Sequence, residues 1–434
     1  MRVRLKTQFQ ALSVRNYRLY ASGQIVSLIG GWMQITAQDW LVLTLSHNSP
    51  TALGFVTALQ FAPILLLTLY GGKLADRFDK RKLLMIALSV YTVLAAIMGA
   101  LVVSGAVELW HVFVFAALWG TVSSLETPTR QAFVSEMVGH DLLPNALSLS
   151  SATFNSARII GPAVGGITIA TLGTGTSFVL NAFTFAGPLI ALARMNPAEL
   201  HRDDIKGAIA KGDAKIRDGI RYVRGRIDLI IPMVLMLVLG MLAFNFQITL
   251  AVLAKNVFHR SAAEFGLFST AVAVGALFGA LAGGTRKKRP STWLVVTSAI
   301  VFCALESLVG LLPTFGLTLL VLVPTGFAMI FFAQAANQRV QMGTDAAYRG
   351  RVMALYVMVF MGTTPIGAPL VGWCAETFGA RSGIWLGGVL SLIAALFVLG
   401  YELRRTGGRV RLARNPMRLY VAAEREPVLA STNS

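Results

Sequence analysis

Apolar runs of membrane-spanning length alternate with short polar segments from residue 17 to residue 403, and no other feature constrains the fold as much. A bilayer core needs about 20 apolar residues per helical crossing. Within it every backbone N–H and C=O must be satisfied inside the segment, so such runs form helices. Twelve spans are expected, at 17–45, 51–72, 83–104, 109–130, 144–172, 176–194, 229–254, 263–285, 292–312, 315–338, 352–377 and 382–403. The breaks between them carry turn chemistry: His47-Asn48-Ser49-Pro50, Gly173-Thr174-Gly175, Lys287-Lys288-Arg289-Pro290 and Phe378-Gly379-Ala380-Arg381.

An even number of spans puts both termini on one side. With that side taken as one face, 34 of the 38 Lys and Arg residues fall on it, and three (Lys255, Arg260, Arg381) fall on the other. The last, Arg158, lies inside a span. Cations collect on the cytoplasmic side of membrane helices. Both termini are therefore expected to be cytoplasmic, in a bacterial inner (plasma) membrane. The net charge of +18 is then a topology signal, and no nucleic-acid partner is expected. Only 13% of residues are charged, against about 25% in a soluble domain. The first apolar run continues to Leu45 without a small-residue cleavage site, so it reads as a retained helix. Cys303 and Cys374 both sit in apolar runs and read as small buried hydrophobes.

The expected organisation is a six-helix bundle over 1–194, a cytoplasmic linker over 195–228, a second six-helix bundle over 229–403 and a basic, disordered cytoplasmic tail over 404–434. In the linker, Ile216, Ile220, Val223 and Ile227 share one helical face and Arg217, Arg221 and Arg224 another. That pattern predicts an amphipathic helix lying on the membrane surface. The halves echo each other. Gly275, Gly279 and Gly283, followed by Thr285 and Arg286–Arg289, stand where the first half has Gly71-Gly72-Lys73-Leu74-Ala75-Asp76-Arg77-Phe78-Asp79-Lys80-Arg81-Lys82. A duplicated six-span unit with a site between its halves is a transporter plan, and rocking of one half against the other is its natural motion.

The polar hairpin Gly71–Lys82 resembles the loop signature of the major facilitator superfamily, between its second and third helices, with Asp79 standing where the family usually has Gly. The resemblance implies that Gly72, Asp76, Arg77 and Arg81 set a conformational equilibrium, with Asp76 docking near a helix N-terminus of the other half when the cavity opens outward. Further stretches are similar to the branch that contains enterobactin and macrolide exporters. They are Trp32-Met33-Gln34, Gln38-Asp39-Trp40-Leu41-Val42, Pro128-Thr129-Arg130-Gln131, Asn145-Ala146-Leu147, Ala157-Arg158-Ile159-Ile160-Gly161-Pro162 and Arg349-Gly350-Arg351-Val352. The resemblance spans about 10–403. In span five, Gly161, Pro162, Gly165 and Gly166 resemble part of the antiporter signature of exporters. The same small residues also serve plain helix packing.

Charges inside spans are costly, roughly 2.5–3.5 kcal/mol each at the bilayer centre. Asp39, Glu126 and Arg158 are the candidates for proton coupling: one acid exchanges the proton, and Arg158 tunes it. The bland readings are an outer-end, water-exposed Asp39 and a Glu126 paired with Arg130 one turn away. Gln34, Gln38, Gln60, Asn155, Asn245, Gln247, Gln334 and Asn337 are candidate cavity-lining residues, because a lipid-facing amide is costly. Each could equally bridge helices. No phosphate-cradling Gly-x-x-x-x-Gly-Lys loop and no His/Cys cluster of metal-ligand spacing is present, so neither ATP, another cofactor nor a metal is expected. The expected function is non-enzymatic: a monomeric, proton-coupled exporter of amphipathic small molecules such as drugs or siderophores. A nutrient importer and a non-transporting membrane sensor are the alternatives.

Overall fold

The computed structural model describes residues 9–201, 216–286, 288–345, 348–406, 409–414 and 417–422. Residues 202–215 of the expected linker, Lys287 of the second-half hairpin and 423–434 of the expected tail lie outside them.

Twelve spans make up the first and second halves. The first half holds α1 (Arg15–Leu45), α2 (Pro50–Arg77), α3 (Lys80–Val103), α4 and α5 (the two arms of Leu109–Leu172) and α6 (Thr174–Arg194). The second holds α7 (Ile227–Val257), α8 (Ala262–Gly284), α9 (Thr292–Leu311), α10 (Phe315–Gly343), α11 (Arg349–Thr377) and α12 (Ser382–Thr406). Leu109–Leu172 divides at Gly139, whose φ of 70° breaks the helix in a region that favours glycine. At about 1.5 Å per residue, its 64 residues are long enough to cross twice. α1 is the least apolar span, because Gln34, Gln38 and Asp39 are buried inside the bundle and not presented to lipid.

The turns close where their chemistry predicts. Ser49 caps α2 by accepting from Ala52 N at 3.2 Å, with Pro50 in its first turn, and His47 and Asn48 take positive φ just before it. Asp79 caps α3, its Oδ1 accepting from Lys82 N at 3.2 Å. The substitution of Asp for the usual glycine in the hairpin is therefore a helix N-cap.

Each half is held by glycines at helix crossings. In the first, Gly71 lies against Ser124 O and Gly120 against Gln60 O; in the second, Gly275 lies against Val323 O and Gly326 against Val272 O. A Cβ at any of these would overlap carbonyl oxygen, and close backbone approach is what membrane helices use in place of a hydrophobic drive. The two sets fall on α2/α4 and α8/α10, the same positions in each repeat.

The linker helix, Ile216–Arg224, docks on the second half. Gly219 and Val223 are buried, while Ile220 is half exposed. Gly219 packs on the backbone of Arg351 and Tyr222 stacks on Tyr348 at 4.6 Å. Tyr222 Oη donates to Asp345 Oδ2 at 2.9 Å. The helix thus seats on the second half through Gly219, Tyr222 and Val223, and Ile220 of the apolar stripe stays uncovered by protein. Arg226 and Arg289 then share the Asp228 carboxylate at 2.9 and 2.6 Å. The tail expected to be disordered holds an antiparallel hairpin, β1 (Arg409–Arg414) with β2 (Met417–Ala422). Val410 pairs with Val421 and Leu412 with Leu419, a period-two alternation that the basic composition obscures.

Candidate functional site

The two halves touch along two helix pairs, and at one end these pairs are closed. Between α2 and α11, Gly54 meets Ala368 O and Gly372 meets Pro50 O; a Cβ at either would lie 2.5 Å from that oxygen. Between α5 and α8, a Cβ on Gly166 would lie 2.6 Å from Ala262 O, and Gly266 lies against Pro162 O. Polar contacts cross the same end. Glu376 Oε2 accepts from Ser49 Oγ at 2.8 Å and from Thr51 N at 3.1 Å, placing an anion at the N-terminus of α2. Lys255 Nζ donates to Thr44 Oγ1 at 2.8 Å, and Asn256 Nδ2 to Asn48 O at 3.0 Å. At the opposite, cation-rich end the same pairs carry Gly72 (α2), Gly284 (α8) and Gly350 (α11), and a Cβ on any of them would meet nothing within 4 Å.

Between the halves lie two adjoining cavities of about 230 and 260 Å³ that share Arg158, Phe244, Gln247 and Met329. The first adds Trp32, Thr36, Asp39 and Phe265; the second adds Thr57, Phe61, Asn245 and Phe360. An interrupted α7 exposes the polar wall. Its first helical segment stops at Leu242 and the next begins at Phe246, so Phe244 and Asn245 sit in a break and face the cavity, with Gln247 just beyond it. Breaks of this kind are tolerated in a membrane only where they line a cavity.

Asp39 is 1% exposed, and its Oδ1 accepts from Gln247 Nε2 at 3.3 Å, a bond that joins α1 of one half to α7 of the other. Its Oδ2 is buried without a partner. Arg158 is half-buried on the wall of both cavities. Glu126 is placed elsewhere, its Oε1 accepting from Arg130 Nε at 2.8 Å. The bundle therefore brings Asp39 and Arg158 to one cavity and pairs Glu126 with its neighbour one turn on. Replacing Glu126 by Gln is expected to lower the thermal midpoint, since a hydrogen bond between charged groups contributes roughly 1.5–3 kcal/mol. Thermal unfolding in detergent measures this. An unchanged midpoint with lost flux would instead give Glu126 a direct part in transport.

Of the eight amide candidates, Asn245 and Gln247 line the cavities. Gln34 is held by Asn181 Nδ2 at 2.7 Å, and Gln38 Nε2 donates to Gln60 Oε1 at 3.1 Å, so these three tie helices together. Asn155 donates to Ser151 O on its own helix, while Gln334 packs against Gly283 and neither it nor Asn337 lines these two cavities. Gly161 and Gly165 pack on α1 at Trp32 and Met33, and Gly166 packs across the halves. In the hairpin, Asp76 and Arg77 are exposed, whereas Arg81 donates to Leu192 O at 2.6 Å and Ala193 O at 3.0 Å, capping the end of α6. Sequence reasoning did not single out Phe244, Trp32 and Met329 as wall residues. Their signal is absent because an aromatic or Met in a span is equally at home against lipid.

The family described as transmembrane secretion effector matches residues 6–432. The staphyloferrin A transporter of Staphylococcus aureus is 27% identical over 379 residues, 83% of this chain and 90% of that one. The multidrug efflux pump Tap of Mycolicibacterium fortuitum is 27% identical, covering 81% of this chain and 87% of that one. The enterobactin exporter EntS of Escherichia coli O1:K1 is 26% identical, covering 77% and 80%. In three dimensions, the nucleoside transporter NupG superposes with a TM-score of 0.69 over 89% of this chain and 98% of that one, at 11% identity, a likeness of fold alone.

Proposed function

The chain belongs to the transmembrane secretion effector family of the major facilitator superfamily, and on that premise we propose that it exports amphipathic small molecules by alternating access, in exchange for protons. It is a multi-pass membrane transporter and not an enzyme. The observation that carries the proposal is the chamber between the halves, sealed at one end by glycine-to-backbone contacts, while at the other the Cβ positions of Gly72, Gly284 and Gly350 meet no neighbouring atom. Taking the cation-rich end as cytoplasmic, the chain stands inward-facing, with both termini in the cytoplasm. Efflux and export in the names of two relatives support the direction.

In this reading Asp39 takes and releases the proton. Its bond to Gln247 spans the two halves, so rocking that parts α1 from α7 uncovers the carboxyl to the outer side. Arg158, on the same cavity wall, biases its protonation as the distance changes. Small molecules bind in the chamber between Trp32, Phe244 and Phe265, with Asn245 and Gln247 offering hydrogen bonds. One chain contains the whole chamber, so a monomer suffices.

Asp76 acts on the equilibrium without touching cargo. It lies exposed on α2 in this state, and α2 pairs with α11, whose first turn begins at Arg349. Closing the cation-rich end brings an anion to that helix N-terminus, which contributes roughly 0.3–1 kcal/mol, up to ~2 when partly buried. Asp76→Asn is expected to insert normally and to lower flux several-fold; equal flux at equal expression would refute this. The proposal as a whole is tested by susceptibility profiling of a deletion strain against antibiotics, with siderophore secretion measured alongside. The compound so identified is then followed in vesicles with and without a pH gradient. Efflux that survives collapse of the gradient removes the proton; the absence of any flux removes transport.

A further inference from the structure

We propose that the cargo is an amphipathic anion and that Arg158 is its counter-ion; this rests on the reading of the chamber as the cargo site. Several cations of the span ends and loops around it have acceptors, and Arg286, whose two Nη atoms have none, lies over the Phe331 ring at 3.8 Å and lines neither cavity. Arg130 is paired with Glu126 and Arg226 with Asp228, and Arg339 donates to Pro290 O at 2.7 Å and Asp228 O at 3.2 Å. Arg381 donates to Gly310 O and Leu312 O, and Lys255 to Thr44. Arg158 stands apart. It reaches the walls of both cavities from the middle of α5, and among the described residues nothing accepts a hydrogen bond from it.

An unpaired guanidinium away from bulk water is unfavourable, and its planar fork of donors matches carboxylate, sulfonate or phosphate oxygens two at a time. The other ionisable group on these walls is Asp39, and its carboxyl is almost wholly covered. It is 1% exposed, bonded to Gln247 and not ion-paired with Arg158. A cargo entering from the open end therefore meets one accessible cation and no accessible acid. That is complementary to an anion and repels an organic cation. The surrounding Trp32, Phe244, Phe265 and Met329 suit a flat or bulky apolar body attached to the anionic group. Carrying negative charge outward is also downhill in an inside-negative membrane potential, so the potential adds to the proton drive.

The test uses the full chain in phosphatidylcholine nanodiscs and three probes with one pyrene body: 1-pyrenebutanoate, its primary amide and 1-pyrenebutylamine. Binding is read by fluorescence anisotropy. The wild type is expected to bind the carboxylate about 10-fold more tightly than the amide or the amine, as a charge-assisted hydrogen bond implies. Arg158→Gln should bring carboxylate and amide to the same affinity. Arg158→Lys keeps the charge but loses the fork, and should retain part of the preference even if the Gln variant folds poorly. Lack of a carboxylate preference in the wild type, whether the probes bind alike or not at all, overturns the proposal. So does a preference that survives Arg158→Gln. Flux in vesicles of the same preparation is scored separately. Flux without charge preference keeps export and overturns the anion; charge preference without flux does the reverse.

Discussion

Leucine in place of Gly166 is expected to prise the sealed end open. Gly166 faces Ala262 and Ala263 across the α5–α8 contact, with a Cβ position 2.6 Å from Ala262 O and 2.9 Å from Ala263 Cα. The neighbouring atoms are backbone on a rigid helix, so they cannot swing aside as a flexible side chain would. Gly266 makes the reciprocal contact against Pro162 O, so two glycines secure one crossing. Overpacking such a contact costs roughly 1–3 kcal/mol. Under the proposed rocking motion the contact parts, so the cost falls on the sealed state alone. A bias of that size shifts a two-state equilibrium by about 5- to 150-fold. The measurement is labelling of Thr36→Cys, on the chamber wall, by a membrane-impermeant thiol reagent added from outside. The two native cysteines, Cys303 and Cys374, are replaced first. Gly166→Leu should raise the labelling rate by at least fivefold over the Gly166 parent. An unchanged rate would mean that this crossing is not the outer gate.

The second large effect is expected from Asp39→Asn. The asparagine keeps shape and can still accept from Gln247, but it cannot exchange a proton at neutral pH. Flux driven by a pH gradient should fall to the level of empty vesicles, while exchange of labelled for unlabelled cargo persists, since that exchange needs only the loaded carrier to rock. A cargo-free readout accompanies it. In the wild type, outside labelling of Thr36→Cys should depend on the pH of the medium through Asp39. In Asp39→Asn that dependence should vanish. Gradient-driven flux at the wild-type rate in this variant would exclude Asp39 from coupling and return attention to the Glu126–Arg130 pair.

The site was legible in part, and the pattern of success follows the range of the interactions. Glu126 and Arg130 sit four apart on one helix, so their pairing was already an open alternative from spacing alone. Asp39, Gln247 and Arg158 lie on α1, α7 and α5, and nothing local to any of them says that they meet at one cavity. Gln34 and Gln38 looked like lining residues for the same reason that Gln247 did, namely that lipid rejects an amide. Burial between helices satisfies that requirement as well as a cavity does, and Asn181 and Gln60 supplied the partners. The linker helix shows the same limit. The apolar stripe points to a membrane-surface helix, but its seating through Gly219 and Tyr222 on Arg351, Tyr348 and Asp345 depends on residues far away in the chain.

By itself the sequence determined that this chain crosses a membrane twelve times, in two related halves, with its cations gathered on one face. Those properties follow from transfer free energies summed along each segment, and a segment carries that sum wherever it packs. Only the tertiary structure decided which glycines press against the other half and which stand free, and which buried polar groups face a chamber and not each other. Those outcomes depend on distances between residues far apart in the chain, and such distances are fixed only once every helix has found its neighbours.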